Sequence, residues 1–491
     1  MKNGILTSIV FVIAINALAQ IEYSSFTNTG RGAVTTFATD YHALGINPAN
    51  LGWNWDFENK RFSLGTSEFA YSIHSQALTK TELRNMIKDI IQGNDNKFTY
   101  DQKMQAAKDF AQTGFAINAD MASFGFCFST EKFGGIAFRI NNRFHWYSNL
   151  GETASQLLFQ GFNAPYFDSL LYFNGTDTIT IPNGKYSPDT LQNVLSGFAN
   201  IPKSIGEVFN NSQINMSWTR EWNLSYGRKI FNIDSVFSLY AGAGIKLYQG
   251  LALIEAQSTN NQLSAFSSIT PAFGIDYGTA AQQNPSAITQ NGWFPKPVGK
   301  GWGFDFGINA VLFNKFKIGV SYINAGSITW DGNVYTAQDT LLYDTQNPGL
   351  ESYNIASQMG DVFGQNGLFK WQGVESKKVS LPSTIRIGAG LRINKKIEIG
   401  ADVVLPGNTT PGNYENAILA FGGDVMPVKW LRLSAGFVTG GNYDFRIPLG
   451  VTFVAKNGTW EGGIASRDAV TFFTQNGPTL SLAMGFLRYR F

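Results

Sequence analysis

Three histidines, one cysteine and a set of arginines on strand-like segments are the chemistry-bearing residues of this 491-residue chain. A hydrolytic site needs a nucleophile and a base brought together. His42, His74 and His145 lie in three separate segments, none at a diagnostic spacing from a serine, and read as satisfied or solvated side chains. Cys127 stands alone, so it supplies neither a disulfide framework nor a metal pattern. No phosphate loop, dinucleotide fingerprint, zinc spacing or calcium loop is recognisable. Gly-x-Gly pairs such as Gly242 and Gly244 fall inside strand-like runs, where glycine eases close packing. The expectation is a non-enzyme with no catalytic residue, cofactor or metal.

The arginines say more. Arg386 and Arg392 stand on the polar face of one strand-like run, with Glu398 and Asp402 on the next run across a short turn. That register puts Arg392 opposite Glu398 and Arg386 near Asp402, and neighbouring opposite charges stabilise a sheet. Arg432, Arg488 and Arg490 have no adjacent partner in sequence. Together with Arg386 they are the candidate lumen residues for meeting a carboxylate or a lipid headgroup. If Phe491, Tyr489 and Leu487 point outward, period-two alternation turns Leu480, Leu482, Met484 and Phe486 inward. Met484 and Phe486 then join the candidate ligand-contacting set.

The elements that must carry these residues are strands. In "GWGFDFGINAVL", Trp302, Phe304, Phe306 and Ile308 share one face, with Gly303, Asp305, Gly307 and Asn309 on the other. "TIRIGAGLR" and "NMSWTREWNLSYG" repeat the scheme, Arg220 being the one misfit, placed at a membrane interface. About fourteen such segments run from residue 61 to 491, and fourteen is even, as bacterial single-chain barrels require. Links after the even-numbered segments are short, and those after the first, third, fifth and seventh are long. This parity belongs to a barrel with short periplasmic turns and long extracellular loops.

Composition agrees. Charged residues are 15%, aromatics 14% and glycines number 52, while 37 basic residues against 35 acidic ones give no field for nucleic acid. Lys2, the apolar run Ile5 to Ile15 and Ala17-Leu18-Ala19 read as a signal peptide over 1–19, cleaved near Ala19. No later apolar run approaches the roughly 20 residues of a spanning helix. Tyr489 and the terminal Phe491 resemble the assembly signal of outer-membrane barrels. The reading is all-β: a transmembrane antiparallel β-barrel of about 14 strands over 61–491, with an N-terminal luminal hatch or plug over 20–60. Long, helical or irregular extracellular insertions are expected at 73–114, 148–214, 255–301 and 331–378. One carries a capping box at Thr79 and Glu82 and an apolar stripe of Leu83, Met86, Ile87, Ile90 and Ile91, expected to cover the barrel mouth and to stop at Gly93.

The segment "GRGAVTTFATDYHALGINPANLGW" resembles the start of the FadL/TodX-type outer-membrane transporters of hydrophobic compounds. The matching positions are Gly30, Arg31, Ala38, Asp40, Asn47, Pro48 and Ala49. "GWGFDFGIN" followed by "KIGVSYINAGSITW" is similar to an uncharacterised FadL-like family of Bacteroidota. The resemblance implies a fourteen-strand barrel in the outer membrane of a Gram-negative bacterium, a hatch in the lumen, a hydrophobic small-molecule ligand and a lateral opening. It implies as partners outer-membrane lipid and the barrel assembly machinery. The two large outer insertions depart from the family, and another FadL-like relative serves type IX secretion, so a structural or secretion-accessory barrel docking a protein partner is the alternative. In this setting Asn47-Pro48-Ala49 becomes a corner turning the hatch towards the wall, with Trp53 and Trp55 at the periplasmic interface.

Overall fold

The period-two alternation closes into a wall. The computed structural model describes residues 25–92, 97–353, 358–365, 367–410, 413–414, 416–441 and 443–491. The leader at 1–19, its cleavage point at Ala19 and the helix stop at Gly93 lie outside them. Fourteen antiparallel strands follow in chain order: β1 (Phe62–Thr66 continuing as Glu68–Ser75), β2 (Gly114–Thr130), β3 (Gly134–Asn149), β4 (Ser212–Ile233), β5 (Phe237–Thr259), β6 (Gly299–Leu312) and β7 (Phe316–Trp330). The second half comprises β8 (Lys377–Ser380 and Thr384–Asn394), β9 (Ile397–Pro406), β10 (Ile418–Val428), β11 (Leu431–Gly440), β12 (Tyr443–Arg446 and Leu449–Ala455), β13 (Trp460–Ser466) and β14 (Thr479–Arg490). Each pairs with the next, and β1 pairs with β14, Ser63 opposite Arg490 and Phe69 opposite Met484. The wall itself therefore has no open edge to recruit another chain. Phe491 belongs to this seam: its N–H donates to the Phe62 carbonyl at 2.8 Å and its carbonyl accepts from the Phe62 N–H at 3.0 Å.

The even-numbered strands end in tight links at 131–133, 234–236, 313–315, 395–396, 429–430 and 456–459, which define a short-turn end. The connections 76–113, 150–211, 260–298 and 331–376 gather at the opposite, long-loop end. Outside, Trp302, Phe304, Phe306 and Ile308 of β6 are 41–57% exposed, while Asp305 and Asn309 between them are at most 1% exposed. An apolar outer belt around a polar interior is the pattern of a barrel set in lipid. Among the described residues no helix is long and apolar enough to cross a membrane.

The lumen is filled by the chain's own N-terminal segment. A single helical turn, Phe26–Thr29, leads through bends to a 3-10 turn at Asp40–Ala43 and then to helix α1, Asn50–Glu58. Gly45, at φ +76°, makes the bend before it, and the Asn47 side-chain oxygen accepts the Ala49 N–H at 3.0 Å. Pro48 has no N–H to lose at this first turn. The motif therefore starts a helix inside the barrel, where a corner turning the hatch towards the wall was expected. Trp53 is fully buried in the lumen against Tyr240 and Val311, away from the interface expected for it.

Inward glycines of the wall make room for this segment. Gly227 and Gly242 face the Pro48–Ala49 backbone, Gly307 faces the Asn47 amide, Gly125 the Tyr41 ring and Gly400 the Phe37 ring. A Cβ at any of these positions would overlap the N-terminal segment.

At the long-loop end lie α2 (Lys80–Gln92), α3 (Tyr100–Phe110) and α4 (Glu152–Gln160). The Thr79 N–H donates to Glu82 at 2.8 Å and the Glu82 N–H to the Thr79 hydroxyl at 3.4 Å, the two bonds of the capping box. Leu83 and Met86 bury against Ile73, Phe115, Trp146 and Met216. Those wall residues alternate with inward-facing His74 and His145, so they lie on the outer face of the strands. The helices clothe that face where the strands rise past the apolar belt, and do not cap the mouth as expected. Ile91, 78% exposed, falls outside the buried stripe. Within 148–214 the structure has short strands Ser169–Phe173, Thr178–Pro182 and Val194–Phe198, joined by Asp344–Thr345 into a separate four-stranded sheet. These strands are two to five residues long, too short to carry a clear periodic signal.

Candidate functional site

The arginines set aside as ligand contacts are brought together, but with carboxylates. Arg488 of β14 reaches Asp40 at 2.6 Å and also pairs with Glu461 of β13. Arg490 lies 2.9 Å from Glu58, 3.2 Å from Glu461 and 3.4 Å from Asp40. Arg432 sits 3.5 Å from Glu461. Arg31 donates through Nε to Asp424 of β10 at 2.8 Å. Asp40, Glu58 and Arg31 belong to the N-terminal segment, so these pairs fasten it to the wall. A buried charge must be paired to be tolerated. The sequence hid the pairing to the N-terminal segment because those partners are some 400 residues away: Asp40 and Arg488 are 448 apart in sequence.

Asp40 holds a left-handed φ of 47°, and its neighbours complete the cluster. His42 lies 2.8 Å from the Thr27 hydroxyl and 2.7 Å from Glu68, and Tyr41 donates to Glu68 at 2.8 Å. Burial pulls the His42 imidazole below its ordinary pKa, against the opposing pull of Glu68. A hydroxyl, an imidazole and a carboxylate in line would be a hydrolytic arrangement were they reachable. Thr27, His42 and Glu68 are 6%, 1% and 1% exposed, so the row acts as an anchor. Gly30 abuts Gly450 of β12, and the Asn47 and Asn309 amides meet at 2.7 Å.

Two other expectations change. Arg392 does stand opposite Glu398, and Gly388 opposite Asp402. Yet Glu398 receives Lys317 at 2.7 Å, Asp402 accepts the Thr35 N–H at 2.8 Å, and Arg392 packs over the Phe57 ring, 5.4 Å from its centroid. The N-terminal segment and strand β7 intercept charges that a bare wall would pair. Arg386 is inward, 3% exposed and diagonal to Asp402 across the β8–β9 pair, near it as expected. Met484 and Phe486 do not face the lumen. Between Arg488 opposite Glu461 and Gly485 opposite Gly463, β14 carries two residues against one, a β-bulge. Alternation therefore resets: Phe486 and Leu487 are both outward, 48% and 44% exposed, while Ala483 and Gly485 pack on Phe26. Tyr489 and Phe491 stay outward at 38% and 60%.

The feature that sequence reading missed is an apolar cavity of about 120 Å³ in the upper lumen, towards the long-loop end. Leu253, Ile328, Trp330, Leu381 and Pro382 supply its walls, with Arg143, His145 and Tyr248 in its lining. The inward turn of Ile328 and Trp330 follows a second bulge, at Ile323–Asn324, where Asn324 has φ +63° and the β6–β7 register slips between Phe304 and Phe306. An asparagine in a strand, tolerant of positive φ, was the available signal. The charged groups of the lining are already occupied. Arg143 lies 3.6 Å from Asp120 and 3.7 Å from Glu221, and Glu255 receives Lys377 at 3.2 Å. Below them Tyr248 donates towards Glu221 at 3.1 Å, and Lys246 sits 2.9 Å from Asp305. Among the described residues no cluster of His, Cys, Asp and Glu could hold a metal ion.

The sequence model of a family of unknown function, DUF5723, matches residues 178–457, more than half of the chain. The chain belongs to that family. Among curated proteins no match is found for this DUF5723 member. Among solved structures, the toluene transporter TodX of Pseudomonas putida is similar at 11% identity, covering 97% of this chain and 99% of that one with a TM-score of 0.40. A FadL homologue of Pseudomonas aeruginosa is 14% identical over 96% of each chain, TM-score 0.39. The monoaromatic hydrocarbon channel CymD is 9% identical over 97% and 98%, TM-score 0.40.

Proposed function

We propose that this DUF5723 barrel sits in the outer membrane, short-turn end towards the periplasm, and passes small, uncharged hydrophobic molecules. The observation that carries the reading is the apolar cavity of Leu253, Ile328, Trp330 and Leu381, inside a closed wall with an apolar outer belt. A concave, mostly apolar site with a few fixed polar groups is the usual form of a small-molecule pocket. Arg143 is held by two carboxylates, so it offers a ligand carboxylate little net attraction, and the site favours neutral molecules over fatty acids. The N-terminal segment serves as the hatch, and passage requires it to shift. The FadL-like and TodX-like neighbours, one a toluene transporter and one a monoaromatic hydrocarbon channel, are compatible with this substrate class.

The test is uptake of radiolabelled toluene and of decanoate by cells producing the full-length protein, with Leu381→Trp filling the cavity. Toluene uptake is expected to exceed the vector control and to fall about tenfold in the variant, the cost of roughly 1.4 kcal/mol of lost site affinity. Decanoate uptake with no toluene uptake would overturn the reading.

A further inference from the structure

A second cavity, of about 190 Å³, opens at the short-turn end beneath the N-terminal segment. Water occupies ~30 Å³ per molecule in the liquid, so the space exceeds what a lone water needs. Its lining differs in kind from the upper cavity: it is charged, and cations prevail. The carboxylates in it are all engaged. Asp424 is held by Arg31 at 2.8 Å, Glu398 by Lys317 at 2.7 Å and Glu58 by Arg490 at 2.9 Å. Behind them, Asp40 and Glu461 occupy Arg488 and the rest of Arg490. Three cations of the lining are left over.

Arg392, Lys395 and Lys396 have no carboxylate within 4.0 Å among the described residues. Arg392 makes one long contact, 3.4 Å, to the Phe57 carbonyl and lays its guanidinium against the Phe57 ring. Lys395 and Lys396 are carried on the two-residue turn between β8 and β9. That turn is built to hold them: the Asn394 side-chain oxygen accepts the Lys396 N–H at 2.7 Å and the Ile397 N–H at 3.0 Å. A planar guanidinium fork and two ammonium groups around one polar hollow suit an anion with several oxygens.

We propose that this pocket binds a phosphate group, presented either as free phosphate or as the headgroup of a phospholipid. The proposal stands apart from transport: the pocket lies at the other end of the lumen from the apolar cavity, and its occupancy requires nothing to cross. Like-charged side chains that no protein group neutralises become a binding site when a soluble or lipid anion supplies the missing charge.

The experiment uses the full chain purified in an uncharged maltoside detergent. Inorganic phosphate is titrated by calorimetry at low salt, and dioleoyl-phosphatidylglycerol is followed by native mass spectrometry. The expected result is one equivalent bound, weakening as ionic strength rises. Arg392→Gln with Lys395→Gln and Lys396→Gln should weaken it by more than about tenfold, since each substitution removes a charge-assisted hydrogen bond. Lys370→Gln, exposed at the long-loop end, should leave binding unchanged. The pair Lys395→Gln and Lys396→Gln, on an exposed turn, gives the same readout should the triple variant fold poorly. Phosphatidylglycerol bound without phosphate identifies a lipid source, and phosphate bound alone a soluble one. Binding of neither, or equal binding by the lysine pair variant and the parent, overturns the proposal.

Discussion

Gly242 shows what a single residue decides in this barrel. It sits on the inward face of β5 under the Pro48 carbonyl carbon and the Ala49 nitrogen, backbone atoms that cannot swing aside. Gly242→Val should therefore cost about 1–3 kcal/mol through overpacking. The check is limited proteolysis in detergent: the variant's N-terminal segment should be cut sooner, with the barrel resistant in both proteins. Equal cutting rates would mean that the segment docks without this contact. The glycine-lined inner face was readable from alternation in "GWGFDFGIN", but its purpose was not, because the segment it accommodates is distant in sequence, Asn47 meeting Gly307 and Pro48 meeting Gly242. Met484 and Phe486 went astray for a related reason. One bulge near the end of β14 exchanges inside for outside, and period-two counting has no term for it.

Among the elements, the N-terminal segment has the most pH-sensitive fastening. Burial alone would raise the Glu58 carboxyl, but Arg490 and Arg432 outweigh it and hold the pKa at about 2, below the ordinary 4.5. A depressed carboxylate contributes stability that is fully present above about 4.5 and is lost as pH falls towards 2. Hydrogen exchange of residues 50–58, compared at pH 7 and pH 3 after correction for intrinsic rates, should show faster opening at pH 3. Unchanged protection would assign the fastening to Asp40 and Arg31 instead. The helices of the long loops teach a different lesson. The Thr79–Glu82 box and the Leu83–Met86 stripe are local signals and were legible. What the stripe covers was not, because an amphipathic face specifies only that it must meet apolar surface, and the outer wall above the belt supplied it.

At the scale of the whole molecule, the closed wall predicts behaviour that no soluble sandwich shares. Unheated protein in mild detergent should migrate faster on a denaturing gel than boiled protein, because each strand of the wall is hydrogen-bonded to the next and the first to the last, so no edge invites unravelling. Identical mobility would contradict closure. Alternation and the parity of link lengths were enough by themselves to indicate a barrel of about fourteen strands, because they are enforced locally by the two-residue pleat and by the need for tight turns at one end. Only the tertiary structure decided which arginines were free. Arg488 and Arg490 looked unpartnered and are satisfied by Asp40, Glu58 and Glu461, while Arg392, which had Glu398 across the turn, has no carboxylate within 4.0 Å among the described residues. A strand pattern fixes the direction in which a side chain points. The charge it meets depends on which distant segment fills the lumen, and that follows from how the whole chain closes.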